Sequence, residues 1–123
     1  MKRIYICGSF RFVNQIEELE KRLTKENIEF EVSKNIDAPG IMGCLEKIDN
    51  ANMVYVVDPD GYVGKSVSVD IGYAFARKKP IFVMHKIDDP PIMNLVQNVL
   101  SFEELIDFLK HNDCIGTESK EFC

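Results

Sequence analysis

The first apolar run of the chain, Arg3–Cys7 (RIYIC), lacks polar alternation and halts at Gly8-Ser9. That pattern suits a strand buried on both faces, at the centre of a sheet. Phe12, Ile16, Leu19 and Leu23 then recur at helical spacing among Glu and Lys, which predicts an amphipathic helix ending near Asn27. Ile28–Ser33 (IEFEVS) alternates apolar and acidic positions as an edge strand does. Past Pro39-Gly40 a second helix carries Ile41, Leu45 and Ile48 on one face. Met53–Asp58 (MVYVVD) is apolar until its last residue, a second buried strand ending in a carboxylate, and Pro59, Asp60 and Gly61 turn the chain. A helix is expected from about Ser66 to Lys78, with Lys and Arg in its last turn, before a strand that begins at Pro80 (PIFVMH). After the loop Asp88-Asp89-Pro90-Pro91 a short strand is expected around Val99. Ser101 and Glu104 then stand at capping-box spacing at the head of SFEELIDFLK, whose Phe102, Leu105, Ile106 and Leu109 share a face.

Strands alternating with helices imply right-handed βαβ units. The expected fold class is α/β, a flavodoxin-like or Rossmann-like three-layer sandwich with a mostly parallel sheet of about five strands. Residues 1–111 read as a single domain, and residues 112–123, which have no hydrophobic period, as a mobile tail. Such sheets bind ligands at the carboxyl ends of their strands, near the point where strand order switches. Candidate chemistry therefore lies on Gly8-Ser9-Phe10-Arg11 after the first strand and on Asp58 through Asp70 after the third.

At 123 residues, 46% of them hydrophobic, the chain can bury one ordinary core. Its 15 Lys+Arg against 20 Asp+Glu give a net charge of −5, so no general attraction to nucleic acid or to an anionic membrane is expected. An anionic ligand needs a local site. No apolar run approaches the ~20 residues of a membrane-spanning helix, and MKRIYICGSF turns polar too soon for a signal peptide, so a cytoplasmic location is expected. Cys7, Cys44, Cys114 and Cys123 lack CxxC spacing; Cys7 and Cys44 read as small buried apolar residues. His85 and His111 stand apart from other ligand types, as surface or loop histidines, and neither a metal nor a cofactor is implied.

The tripeptide Gly64-Lys65-Ser66 matches the end of a phosphate-binding P-loop, but the first glycine of that motif falls on Pro59, which offers neither the backbone freedom nor the amide. A nucleoside triphosphatase is excluded on that count. What survives is a helix start whose free amides suit an oxyanion, or a helix merely capped by Ser66 or Ser68. Asp70 has two readings as well. An acid early in a helix complements the dipole; carboxylates gathered in a cleft equip glycosidic bond cleavage.

IYICGSFR, MVYVVDPDGYVG and DIGYAFARKKPIFV, with SFEELIDFLK more loosely, resemble the nucleoside 2-deoxyribosyltransferases and the related 2'-deoxynucleoside 5'-phosphate N-hydrolases over most of residues 3–110. The resemblance implies cleavage or transfer at the N-glycosidic bond of a (deoxy)nucleoside or its 5'-monophosphate through a covalent glycosyl-enzyme. The family's nucleophilic Glu falls on Asp70, one methylene shorter. Asp58 matches an acid near the nucleobase or sugar, and Tyr5 a tyrosine that orients the nucleophile. Gly8, Ser9, Phe10 and Arg11 match the phosphate-side loop, with Arg11 as a fork of donors for phosphate, so a 5'-monophosphate is expected to bind more tightly than its nucleoside. Gly64 and Ser66 add phosphate or sugar contacts, and Gly72 lets the helix approach strand or ligand closely. The resemblance also implies a homodimer or higher homo-oligomer, with Met93 and Asn94 of PPIMNL closing a neighbour's pocket. The competing reading is a catalytically silent nucleotide-binding protein of the same fold.

Overall fold

The computed structural model describes residues 3–33 and 40–111, and its apolar runs pair into one five-stranded sheet. Strands β1 (Arg3–Cys7), β2 (Glu29–Val32), β3 (Met53–Val56), β4 (Ile81–Val83) and β5 (Asn98–Val99) lie in the order β2-β1-β3-β4-β5. All four pairings are parallel, where a mostly parallel sheet was expected. This is the flavodoxin-like order, whose switch point falls between β1 and β3. The helices are α1 (Val13–Lys25), α2 (Ile41–Asp49), α3 (Lys65–Ala76), α4 (Pro90–Met93) and α5 (Phe102–His111).

The two-residue period of the strands sorts the core into two layers. Ile4, Ile6, Met53, Tyr55 and Phe82 share a core with Ile16, Leu19 and Leu23 of α1 and with Phe102, Leu105 and Leu109 of α5. Tyr5, Cys7, Val54, Val56, Ile81 and Val83 form the other with Cys44 and Ile48 of α2 and Val67, Ile71 and Ala74 of α3. One alternation along β1 therefore sends Tyr5 to the α3 side. Cys7 and Cys44 are buried and free, as expected.

Helix ends follow local chemistry. At the end of α1 the Asn27 and Ile28 amides donate to Thr24 (3.1 Å) and Leu23 (3.0 Å), closing the helix where Asn27 takes φ 60°. The same closure ends α3, with Lys78 at φ 61°. The capping box before α5 is complete: the Glu104 amide donates to Ser101 Oγ (3.1 Å) and the Ser101 amide to Glu104 Oε1 (2.8 Å).

Several expectations need correction. Helix α3 starts at Lys65 and ends at Ala76, so Arg77 and Lys78 form its closing turn and no basic residue lies in its last helical turn. On α2 the buried residues are Cys44 and Ile48, four apart on one face, while Ile41 is 40% exposed. Pro90 and Pro91 are not loop residues: Asp89 Oδ1 accepts from the Ile92 amide, and the two prolines fill the first positions of α4, where a missing amide costs nothing. Pro39 and the tail 112–123 lie outside the described residues. Among the described residues no helix is long and apolar enough to cross a membrane.

Candidate functional site

Three loops meet at the carboxyl edge of β1, β3 and β4. After β1, a Cβ on Gly8 would stand 2.7 Å from the Val57 carbonyl oxygen, so only glycine lets this loop lie against the end of β3. Ser9 Oγ accepts from the Arg11 amide (3.4 Å) and opens a 3-10 turn, Phe10–Phe12. Phe10 is left 60% exposed. The Arg11 guanidinium sits 4.7 Å from the centre of the Tyr62 ring and 5.3 Å from that of Phe12, and its Nη2 lies 3.8 Å from Asp60 Oδ2.

Arg11 forms one side of a cleft of about 420 Å³. The other sides come from Asp60 to Val63 and Ser68 after β3, and from Ile87 to Asp89 with Ile92 after β4. Gly61 joins these walls: at φ 84° its Cβ would stand 2.6 Å from the Lys86 carbonyl oxygen, and its own carbonyl accepts from the Asp88 amide at 2.9 Å. Beneath them Asp58 is fully buried. Its Oδ1 accepts from the His85 amide (2.9 Å), and its Oδ2 has no hydrogen-bond partner among the described residues. Burial pushes this carboxyl up to about 7, opposed by the His85 hydrogen bond. Asp58 anchors the walls, and neither it nor Asp70, which lies two residues along α3 from the lining residue Ser68, is among the residues lining the cleft.

Asp70 lies in the second turn of α3, 2% exposed. Its Oδ2 accepts from the Tyr5 hydroxyl at 3.2 Å, and its Oδ1 is buried without a partner among the described residues. Burial raises the carboxyl to about 6, and the Tyr5 hydrogen bond pulls the other way. The Tyr5 hydroxyl is itself pushed up, first by burial and then by Cys7 and Asp70 nearby. Neither bland reading of this helix start holds. No acid occupies its first turn, Gly64 caps it without a side-chain bond, and Ser68 Oγ donates back to the Gly64 carbonyl at 2.8 Å. Asp70 sits a turn too deep to serve the dipole.

The edge thus brings Tyr5 onto Asp70, and Arg11 onto Asp60 and Tyr62. Gly64 stands beside Tyr62, whose hydroxyl oxygen would lie 3.3 Å from an added Cβ. Ser66 is exposed and is not among the residues lining this cleft. Met93 is half-buried, its sulfur accepting from the Ile87 amide of its own chain at 3.4 Å, and Asn94 is exposed. A Cβ on Gly72 would meet nothing within 4 Å, which removes the close approach expected there within the chain. Tyr62 and Ile87 were missed by the sequence reading; an aromatic following an Asp-Gly turn after a buried strand was the available signal for Tyr62.

A flavodoxin-like sheet with a tyrosine-held carboxylate under its switch-point edge is the class of arrangement found. No protein-family model matches the sequence, and a search of curated proteins found no match. Solved structures match it closely in fold. A 2-deoxyribosyltransferase from Bacillus psychrosaccharolyticus superposes with a TM-score of 0.68 at 15% identity, covering 84% of this chain and 89% of that one. A CMP N-glycosidase from Clostridium botulinum gives 0.55 at 16%, over 89% and 98%. A 3-dehydroquinate dehydratase-like protein from Bifidobacterium longum gives 0.58 at 13%, over 98% and 100%. At these identities the likeness is one of fold, and that fold serves more than one described activity.

Proposed function

We propose that the protein is an enzyme acting on the N-glycosidic bond of a (deoxy)nucleoside or its 5'-monophosphate, with Asp70 as nucleophile. One observation carries the reading: a buried carboxylate with one oxygen held by Tyr5 and the other without a partner among the described residues. The free Oδ1 attacks the anomeric carbon; the carbon–nitrogen bond breaks, and the base leaves with the electron pair and takes up a proton. Water, or a second base, then displaces Asp70 from the glycosyl ester and restores the carboxylate. With a pKa of about 6 the group is mostly ionised at neutral pH, yet poorly solvated and therefore reactive. The fold shared with a deoxyribosyltransferase and a CMP N-glycosidase supports the same chemistry.

The second reading, a silent nucleotide-binding protein, is favoured by the short side chain of Asp70 and its 2% exposure. A ~1 Å shortfall in reach can cost on the order of 10²-fold in rate. Chromatography of nucleosides and 5'-monophosphates incubated with the protein, with and without an acceptor base, separates the two readings. Free base supports the enzyme; binding without base release supports the silent protein. The reading includes a homo-oligomer. Because Met93 turns into its own chain, the surface for a second copy moves to Met42 on α2 and Val69 and Phe75 on α3, each at least half exposed.

A further inference from the structure

The charge of the cleft wall bears on which of the two substrate forms is taken. Among the described residues that line it, Arg11 is the one cation, set against the carboxylates of Asp60, Asp88 and Asp89. Arg11 is already engaged: Asp60 Oδ2 lies 3.8 Å from its Nη2, and the guanidinium stacks over Tyr62 at 4.7 Å. Asp60 is in turn held in place, since its Oδ1 accepts from the Tyr62 amide at 3.0 Å. The three residues therefore form a small self-contained unit, with ring, cation and acid each holding another.

We propose that Asp60 is a specificity-determining residue, which by occupying Arg11 makes the cleft select a nucleoside without a 5'-phosphate. The inference rests on the nucleoside reading above and reverses the expectation drawn from the loop Gly8–Arg11. A phosphate dianion entering the cleft meets at Arg11 a guanidinium whose charge is already offset by the Asp60 carboxylate 3.8 Å away, and it brings its own charge beside that carboxylate. Asp88 and Asp89 on the facing wall repel it further. Sugar hydroxyls meet the opposite situation. They are donors, and three carboxylates in the wall are acceptors without a proton to offer.

Titration calorimetry with the four common deoxynucleosides and their 5'-monophosphates, at low salt, tests the proposal on the wild type and on Asp60→Asn. Deoxynucleosides should bind wild type at least threefold more tightly than the matching monophosphates. Asp60→Asn, which keeps the turn bond to the Tyr62 amide but removes the charge, should tighten the monophosphates by about five- to tenfold and leave the deoxynucleosides within twofold. Arg11→Ala in the Asp60→Asn background should abolish that gain. Tighter binding of monophosphates to wild type would overturn the proposal while the nucleoside reading stands, as would an unchanged ratio in Asp60→Asn. If no member of either series binds, this inference fails with the deoxynucleoside form of the reading, and the same titration with ribonucleosides then decides the nucleoside reading itself.

Discussion

Replacing Tyr5 by Phe removes the one hydrogen bond that Asp70 accepts among the described residues, and its consequence is calculable. The hydroxyl donates to Oδ2 at 3.2 Å within the buried layer between β1 and α3. A hydrogen bond to a charged acceptor contributes about 1.5–3 kcal/mol. This one is longer than the ~2.7–2.8 Å typical of hydroxyl donors, so the low end applies. At 1.36 kcal/mol per pKa unit, losing roughly 1.5 kcal/mol of stabilisation of the charged form raises the carboxyl by about one unit. Asp70, about 6 in the wild type, then titrates near 7 (roughly one unit higher). The ionised share at pH 7 falls from about nine tenths to about half, and the acid limb of any activity profile moves up by the same unit. A carbon-13 carboxyl titration by NMR, with the resonance assigned through Asp70→Asn, measures the shift without needing a substrate. A midpoint in Tyr5→Phe that is unchanged or lower would refute the claim that this hydroxyl stabilises the carboxylate.

Three further outcomes follow from the same geometry. Asp58 titrates near 7 in the fold against an ordinary 3.8, so the native state keeps a proton that the unfolded chain releases, and stability falls as pH rises from about 4 to about 7. Asp58→Asn, whose amide oxygen can still accept from His85, should reduce that slope to the part Asp70 contributes and gain up to about 4 kcal/mol at pH 8 by urea unfolding; an unchanged slope would count against a strained carboxylate. Gly61→Ala sets a side chain at φ 84° against the Lys86 carbonyl oxygen 2.6 Å away, and should cost more than about 2 kcal/mol; stability equal to wild type would mean the two cleft walls are not locked there. Phe75→Asp should shift the protein toward monomer in light scattering at micromolar concentration, and a wild type already monomeric would remove the second copy from the account.

The layers of this fold were legible because apolar runs and helical spacing are local. Both helix closures and the capping box of Ser101 and Glu104 come from residues a few positions apart. The contact of Tyr5 with Asp70 spans 65 positions. It could be named only through the family likeness, because no spacing rule predicts which face of a parallel sheet a given strand residue shares with a helix. Asp60 read as a turn residue and Tyr62 had no role assigned, and their hold on Arg11 depends on two loops converging at the switch point. Asp58 read as a ligand-facing acid because it ends a buried strand, whereas its oxygen is taken by the His85 amide, a bond made only once β4 is laid beside β3. Gly72 was read through the likeness as letting its helix approach a strand or a ligand closely, yet within the chain an added Cβ would meet nothing within 4 Å.

The central claim is that Asp70 bonds covalently to the sugar, and intact-protein mass spectrometry tests it directly. Wild type is incubated with a panel of 2'-fluoro-2'-deoxynucleosides, whose fluorine slows breakdown of a glycosyl ester, and the adduct is mapped by peptide digestion. The account predicts a mass increase of one fluorinated sugar on the peptide containing Asp70, with release of the base in equal amount, and no such increase in Asp70→Asn. An adduct on another residue, or base release from wild type undiminished in Asp70→Asn, would contradict it.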